Sequence, residues 1–225
     1  MVVLDAVLLI QAEQANDLAV RWNCRAGVCG SCSAEINGRC KLMCMTRLKD
    51  LTLQEPITVE PLHTFPTIKD LVTDVSWNYR VKKAITPFQP SKPETPGGLR
   101  IMQDDIERLR EFRRCIECWL CQDVCHVLRE HQLYDRYIGP RFFVETAYLE
   151  MHPLDTANRL SSLKDNWGLG YCNITQCCTV VCPAEIKITD NAIIPQKERV
   201  VDEFYDPLTR LLRTIGRVLG LTKRA

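Results

Sequence analysis

Two stretches, "CIECWLCQDVC" (residues 115–125) and "CNITQCCTVVCP" (172–183), decide how this chain is read. The first spaces its cysteines, Cys115, Cys118, Cys121 and Cys125, as C-x2-C-x2-C-x3-C. The second repeats the frame with Cys172, Cys178, Cys182 and Pro183, but Thr175 stands where a cysteine is due and Cys177 is an extra. The two stretches form a degenerate internal pair, and each places several thiols within one short loop.

Around this pair the composition narrows the possibilities. The chain has 225 residues and 13 cysteines, an odd number crowded at two- and three-residue spacings. That pattern suits metal binding better than a disulfide framework. A net charge of +1 leaves no basic excess to neutralise phosphates, so nucleic acid is excluded as the main partner. No apolar run approaches the roughly 20 residues of a membrane-spanning helix, and no secretory leader pattern is present. The chain reads as soluble and not secreted.

The cysteines fall into three groups, 24–44, 115–125 and 172–182. Between the first two lies "TPFQPSKPETPGG" (86–98), whose prolines and glycines resist helix and strand alike. This predicts an N-terminal domain over 1–86, a connector over 87–98 and a C-terminal domain over 99–225. The N-terminal part reads as α+β. A helix places Leu4, Val7, Leu8, Ala12 and Ala15 on one face, and Asn37-Gly38 then signals a two-residue hairpin. The C-terminal part reads as all-α, with helices over "DDIERLREF", "RFFVETAYLEMH" and "DNAIIPQKERVVDEF", the last bent or interrupted at Pro195.

In the first group Cys24, Cys29 and Cys32 give C-x4-C-x2-C, the spacing of a plant-type 2Fe–2S loop. Gly27 and Gly30 let such a loop wrap closely. The fourth thiolate is either Cys40 or Cys44. On one returning strand the two would lie about 13 Å apart, too far to ligate one cluster. Zinc is the competing reading, but it favours paired short spacings.

The second and third groups follow the rule that each fourth cysteine ligates the other cluster. Cys115, Cys118, Cys121 and Cys182 then form a 4Fe–4S site. Cys125, Cys172 and Cys178 form a site one thiolate short at Thr175, which suits 3Fe–4S. Cys177 reads as a spare core thiol, or as a ligand that completes a four-iron cluster.

Taken together, the three groups resemble the iron–sulfur subunit of bacterial succinate dehydrogenases and fumarate reductases, with an actinobacterial-like cast, over nearly the whole chain. "WNCRAGVCGSCSAEING" is similar to the family's 2Fe–2S loop, and "TFPTIKDLVTDVSWNY" to the segment between its two halves. The eleven residues between Cys32 and Cys44 equal the family spacing, which selects Cys44 over Cys40. Cys40 then reads as a small buried hydrophobe. The resemblance implies a plant-type 2Fe–2S ferredoxin domain of β-grasp type and a bacterial ferredoxin-like helical domain. It also implies a relay through 2Fe–2S, 4Fe–4S and 3Fe–4S clusters, from an FAD-containing flavoprotein subunit that oxidises succinate to fumarate, to quinone at membrane anchor subunits. The complex would sit peripherally on the cytoplasmic face of the cell membrane, in a respiratory chain. No dinucleotide fingerprint or catalytic constellation is present, so no substrate site is expected on this chain.

Three departures stand out. "HVLRE" follows Cys125 where the family often has proline and then a quinone-contacting tryptophan, and Asn173 replaces a common histidine; no quinone contacts carry over, and His126 is a weak substitute. The family also opens on a β-hairpin, whereas Met1 here leads almost directly into the first helix. That predicts a ferredoxin sheet lacking its first strands, with an exposed edge, and a shortened start. His63, His131 and His152 read as surface or packing residues. Trp119 is expected to shield a cluster from water, and Arg113 and Arg114 to offset thiolate charge or end a solvated helix. The tail "LTRLLRTIGRVLGLTKRA" (208–225) has the make-up of a basic interfacial helix, or of a helix docked on protein. Fumarate reduction, a free ferredoxin-like carrier that stays off membranes, and a colourless zinc module are the alternative functions.

Overall fold

The structure, a computed structural model, describes residues 1–52, 54–92 and 100–207. The tail helix expected over 208–225 and the connector residues 93–99 lie outside them.

Helix α1 (Val3–Glu13) opens with the Asp5 carboxylate accepting the Val2 amide at 3.0 Å. An acidic group there also suits the positive end of the helix dipole. Two first-turn amides donate away from the helix, Val3 N to Thr46 O at 2.9 Å and Leu4 N to Met43 O at 3.2 Å. Donors that α-helices leave unpaired thus dock α1 onto the segment after the hairpin. Val3, Leu4 and Val7 are buried, whereas Ala12 is exposed and Ala15 lies past the helix end, so the apolar face is shorter than expected.

Strands β1 (Ser33–Ile36) and β2 (Arg39–Leu42) pair antiparallel around Asn37 and Gly38, both at positive φ, as a two-residue hairpin requires. Strand β3 (Val59–Glu60) joins the other side of β1, giving the order β2-β1-β3. Among the described residues no further strand joins this sheet. A two-stranded ribbon, β4 (Thr67–Lys69) and β5 (Val72–Thr73), follows.

Helix α2 (Ser76–Ala84) leaves the α+β part and packs on the helical part. Its Trp77 indole donates to Tyr134 O at 3.2 Å and meets the Tyr134 and Phe142 rings edge-on, at 5.1 and 6.3 Å between centroids. The Pro-rich stretch behaves likewise. Its described residues, 86–92, lie in no helix or strand, but the buried Arg159 guanidinium donates to Thr86 O and Pro87 O, each at 2.8 Å, and Ser91 N donates to Leu154 O at 2.9 Å. Residues 86–91 are therefore a strap pinned to the helical part, where composition alone predicts a free connector. The two halves share one continuous apolar core.

The helical part comprises α3 (Gln103–Arg113), α4 (Leu120–Asp123), α5 (His126–Arg129), α6 (Pro140–Glu150), α7 (Leu160–Asp165), α8 (Cys177–Val180) and α9 (Ile194–Phe204). Helix α6 is buried nearly all round, as a central helix must be. Before α9, residues Ile188–Ile193 form a π-turn, and Pro195 sits in the first turn of the α-helix proper. The wide turn absorbs the amide that proline lacks. Gln196, fully buried, donates to Phe143 O at 2.8 Å and to Ala192 O at 2.9 Å, which ties the break to α6.

Candidate metal centres

All 13 cysteines are free thiols, and apart from Cys40 they fall into three places. In the loop over 24–32, Arg25, Gly27 and Gly30 all have positive φ, which curls the chain around its own sulfurs. Ala26 N points at Cys24 Sγ (3.4 Å) and Cys24 N at Cys29 Sγ (3.5 Å). Burial works against ionisation of Cys29, but hydrogen bonds from the Ser31 hydroxyl and from the Cys24 and Ser31 amides outweigh it and bring its pKa down to about 6. Cys32 is pushed up to about 12 by burial and by the neighbouring Cys44. Cys44, just beyond β2, thus comes beside the loop.

Cys40 does not. Its thiol turns to the far side of β2 and donates to Asp123 Oδ2 at 3.0 Å. It is buried, as expected, but as a hydrogen-bond donor and not as a plain hydrophobe. Around it lies a polar knot joining the two halves. Glu35, 1% exposed, takes two hydrogen bonds from Arg129, and Asp123 accepts Thr64 N at 2.9 Å. His63 contacts Arg129 at 3.0 Å and Glu35 at 3.5 Å, so it is a member of this knot and not an isolated surface residue.

The second place is a cavity lined by Cys115, Cys118, Cys121 and Cys182 with Trp119 and Arg141. Three thiols come from one group and one from the other. Burial pushes Cys118 up to about 12 and Cys121 well above the usual thiol range. Such thiols ionise when a metal cation replaces the proton. Trp119, 7% exposed, lines one wall of the cavity. Arg113 and Arg114 do not reach it. The basic group is Arg141 of α6, whose charge draws down Cys115 against the effect of burial. Its Nη2 pairs with Glu117 at 2.7 Å, and its buried Nε has no protein acceptor. The arginine that precedes the apolar run "FFV" in "PRFFVETAYLE" was the sequence signal that could have revealed it.

In the third place the buried Tyr137 hydroxyl lies 3.7 Å from Cys125 Sγ, and burial together with the Cys125, Cys172 and Cys178 thiols pushes its pKa up. The Cys178 thiol contacts Thr189 Oγ1 at 3.5 Å and is pushed up to about 12 by burial, with Thr189 opposing. Thr175 and Cys177 touch, Oγ1 to Sγ, at 3.2 Å.

The three places form a row. Ser33 Oγ donates to Cys118 O at 2.7 Å, and a Cβ on Gly30 would fall 2.6 Å from Cys118 Cα, so the first loop rests on the second. Helices α4, which carries Cys121, and α8, which carries Cys178, pack together. The donor set fits iron–sulfur clusters: all-thiol ligands, amides aimed at sulfur, loops with left-handed turns, and an unsatisfied buried Arg141 N–H beside four thiols.

Comparison with known proteins agrees. Residues 1–79 match the family of 2Fe-2S iron-sulfur cluster binding domains, and residues 111–186 match the 4Fe-4S dicluster domain. The fumarate reductase iron-sulfur subunit of Mycobacterium tuberculosis is 32% identical over 186 residues, 80% of this chain and 74% of that protein. One subunit of the fumarate reductase (CoM/CoB) of Methanothermobacter marburgensis is 33% identical over 225 residues, 100% of this chain. The chain spans less than half the length of that relative, 43%. A chain of the Mycobacterium smegmatis Sdh1 complex in the apo form is 58% identical and superposes with a TM-score of 0.88, covering 92% of this chain and 87% of that one.

Proposed function

Because this chain belongs to the iron–sulfur subunits of succinate dehydrogenases and fumarate reductases, we propose that it carries electrons between a flavoprotein subunit and membrane quinone in a succinate:quinone oxidoreductase. Cys24, Cys29, Cys32 and Cys44 would hold a 2Fe–2S cluster, and Cys115, Cys118, Cys121 and Cys182 a 4Fe–4S cluster. Cys125, Cys172 and Cys178 would hold a 3Fe–4S cluster. Bound there, the clusters supply one-electron redox chemistry at potentials that their surroundings tune.

The residues divide the remaining work. Amides around Cys24 and Cys29 stabilise thiolate charge. Trp119 keeps water from the central cavity, and Arg141 balances its negative charge. Ser33 and Gly30 hold the first loop against the second. The observation that carries the reading is this row of three thiol sets, each in contact with the next. No described helix is long and apolar enough to cross a membrane. In this reading partner anchor subunits carry the quinone, at the cytoplasmic face of the membrane, and succinate oxidation belongs to an FAD-containing partner.

Low-temperature EPR of the anaerobically purified complex tests this. Expected are a near-isotropic signal in the oxidised sample that vanishes on reduction, and reduced 2Fe–2S and 4Fe–4S signals in its place. Cys24→Ser and Cys118→Ser should abolish quinone reduction while leaving succinate binding to the flavoprotein intact. Undiminished quinone reduction in a fully assembled variant would sink the relay.

A further inference from the structure

Cys177 stands among the third set of thiols with no ligand role in the three-cluster reading. Its position follows from the internal pair. In the second group Glu117 and Trp119 have φ of 53° and 64°; in the third group Ile174 and Gln176 have φ of 63° and 61°. A left-handed residue immediately precedes α4 and α8 alike. The two loops therefore share one backbone path, in which Thr175 takes the place of Cys118, Cys178 that of Cys121, and Cys177 that of Leu120.

The side chains at the last pair differ. Leu120 is 1% exposed and packs into the core without lining the central cavity. Cys177 is half-buried and sends its sulfur to the Thr175 hydroxyl, 3.2 Å away. That hydroxyl marks the spot where the repeat lacks its thiol, so the Cys177 sulfur lies one hydrogen-bond length from the missing ligand position. Thr175 and Gln176 are exposed, which leaves the position open to an ion from solvent.

We propose that Cys177 is a conditional fourth ligand, which captures a ferrous ion when the third centre is reduced and so converts it from a three-iron to a four-iron cluster. The proposal rests on the three-iron reading of that centre. One electron from a reductant takes [3Fe–4S]+ to [3Fe–4S]0. Addition of one ferrous ion then gives [4Fe–4S]2+ with no further electron transfer. The Cys177 S–H bond breaks as the Fe–S bond forms, and its proton passes to water. In reverse, removal of one electron gives a 3+ core, which sheds Fe2+ and returns to [3Fe–4S]+. Iron supply would then set whether the terminal centre has three irons or four.

The test uses the whole complex as wild type, Cys177→Ala and Thr175→Val. Each is reduced anaerobically with dithionite and ferrous ion, reoxidised only far enough to return the three-iron core to its 1+ state while a four-iron core stays 2+, and examined by EPR with the ferrous ion still present. With ferrous ion about tenfold above its dissociation constant, the three-iron signal of the wild type should fall about tenfold. The Thr175→Val signal should fall equally, because the hydroxyl is not the ligand, while Cys177→Ala keeps its signal. Unchanged 2Fe–2S and 4Fe–4S signals report intact assembly. Equal loss in wild type and Cys177→Ala, or no loss in wild type, would overturn the proposal. If the untreated wild type lacks the three-iron signal and Cys177→Ala shows it, Cys177 is a ligand and the three-iron reading of the native centre falls. If neither shows it, both readings fall together.

Discussion

The Ser33 hydroxyl donates to the Cys118 carbonyl at 2.7 Å, across 85 residues of sequence, and fastens one thiol loop to the next. Gly30 lies at the same contact, with φ of 69° and room for no Cβ against the Cys118 backbone. Gly30→Ala should therefore cost more than the ~1 kcal/mol of a left-handed alanine, since backbone must also move. Ser33→Ala should cost about 1 kcal/mol. Both should slow quinone reduction while each cluster still forms. The check is turnover per complex set against EPR spin counts; unimpaired turnover in Gly30→Ala would mean that this contact is not on the electron route.

Cys40 and Cys44 lie four residues apart and do different things. Cys44→Ser should remove the 2Fe–2S signal. Cys40→Ala should keep that signal and instead lose about 1–3 kcal/mol of stability, because buried Asp123 loses a donor. EPR of the two variants separates the roles, and loss of the 2Fe–2S signal in a folded Cys40→Ala chain would contradict the assignment.

The Glu35–Arg129 pair sets an acid limit. Burial raises the Glu35 carboxyl, but hydrogen bonds from Arg129 and Asp123 with the Arg129 charge more than offset it, leaving its pKa below the usual carboxylate value. A depressed carboxylate contributes stability at neutral pH that is lost as pH falls below about 4.3 and through the folded value. Arg129→Met should destabilise by about 2–3 kcal/mol at pH 7, less than a fully buried pair because Arg129 is 31% exposed. The deficit should shrink on acidification, as the uncompensated Glu35 takes up a proton. Thermal melts of both proteins from pH 7 to pH 4 would reveal it; a deficit independent of pH would assign the loss to packing.

Arg159 is buried against Glu150 and Asp155 while it holds the carbonyls of Thr86 and Pro87. Arg159→Met strips the buried Glu150 and Asp155 of their shared cation, leaving Glu150 with Arg199 at 3.4 Å and Asp155 with the Gln89 and Ala157 amides, and should cost about 3 kcal/mol. The strap over 86–91 should then open. Limited proteolysis within that stretch, resisted by the wild type and rapid in the variant, is the expected result.

Much of this was legible in one dimension. The cysteine spacings, the Asn37-Gly38 hairpin, the α+β to all-α division and the break at Pro195 are all set by residues a few positions apart, and local stereochemistry decides them. The partner of Asp123, the knot around Glu35, the arginine at the central cavity and the strap over 86–91 were not legible, because each joins residues tens of positions distant. Arg113 and Arg114 adjoin the cluster motif in sequence, yet it is Arg141 of α6 that reaches the thiols.

By itself the sequence determined how many thiol sets there are and which cysteines make each loop, since spacing within a loop limits which sulfurs can meet. Only the tertiary structure decided which loops touch, which charges face the thiols, and that Cys177 turns toward Thr175 where its counterpart Leu120 turns to the core. Those outcomes depend on the burial of charge and apolar surface between distant segments, and neighbouring residues do not encode them.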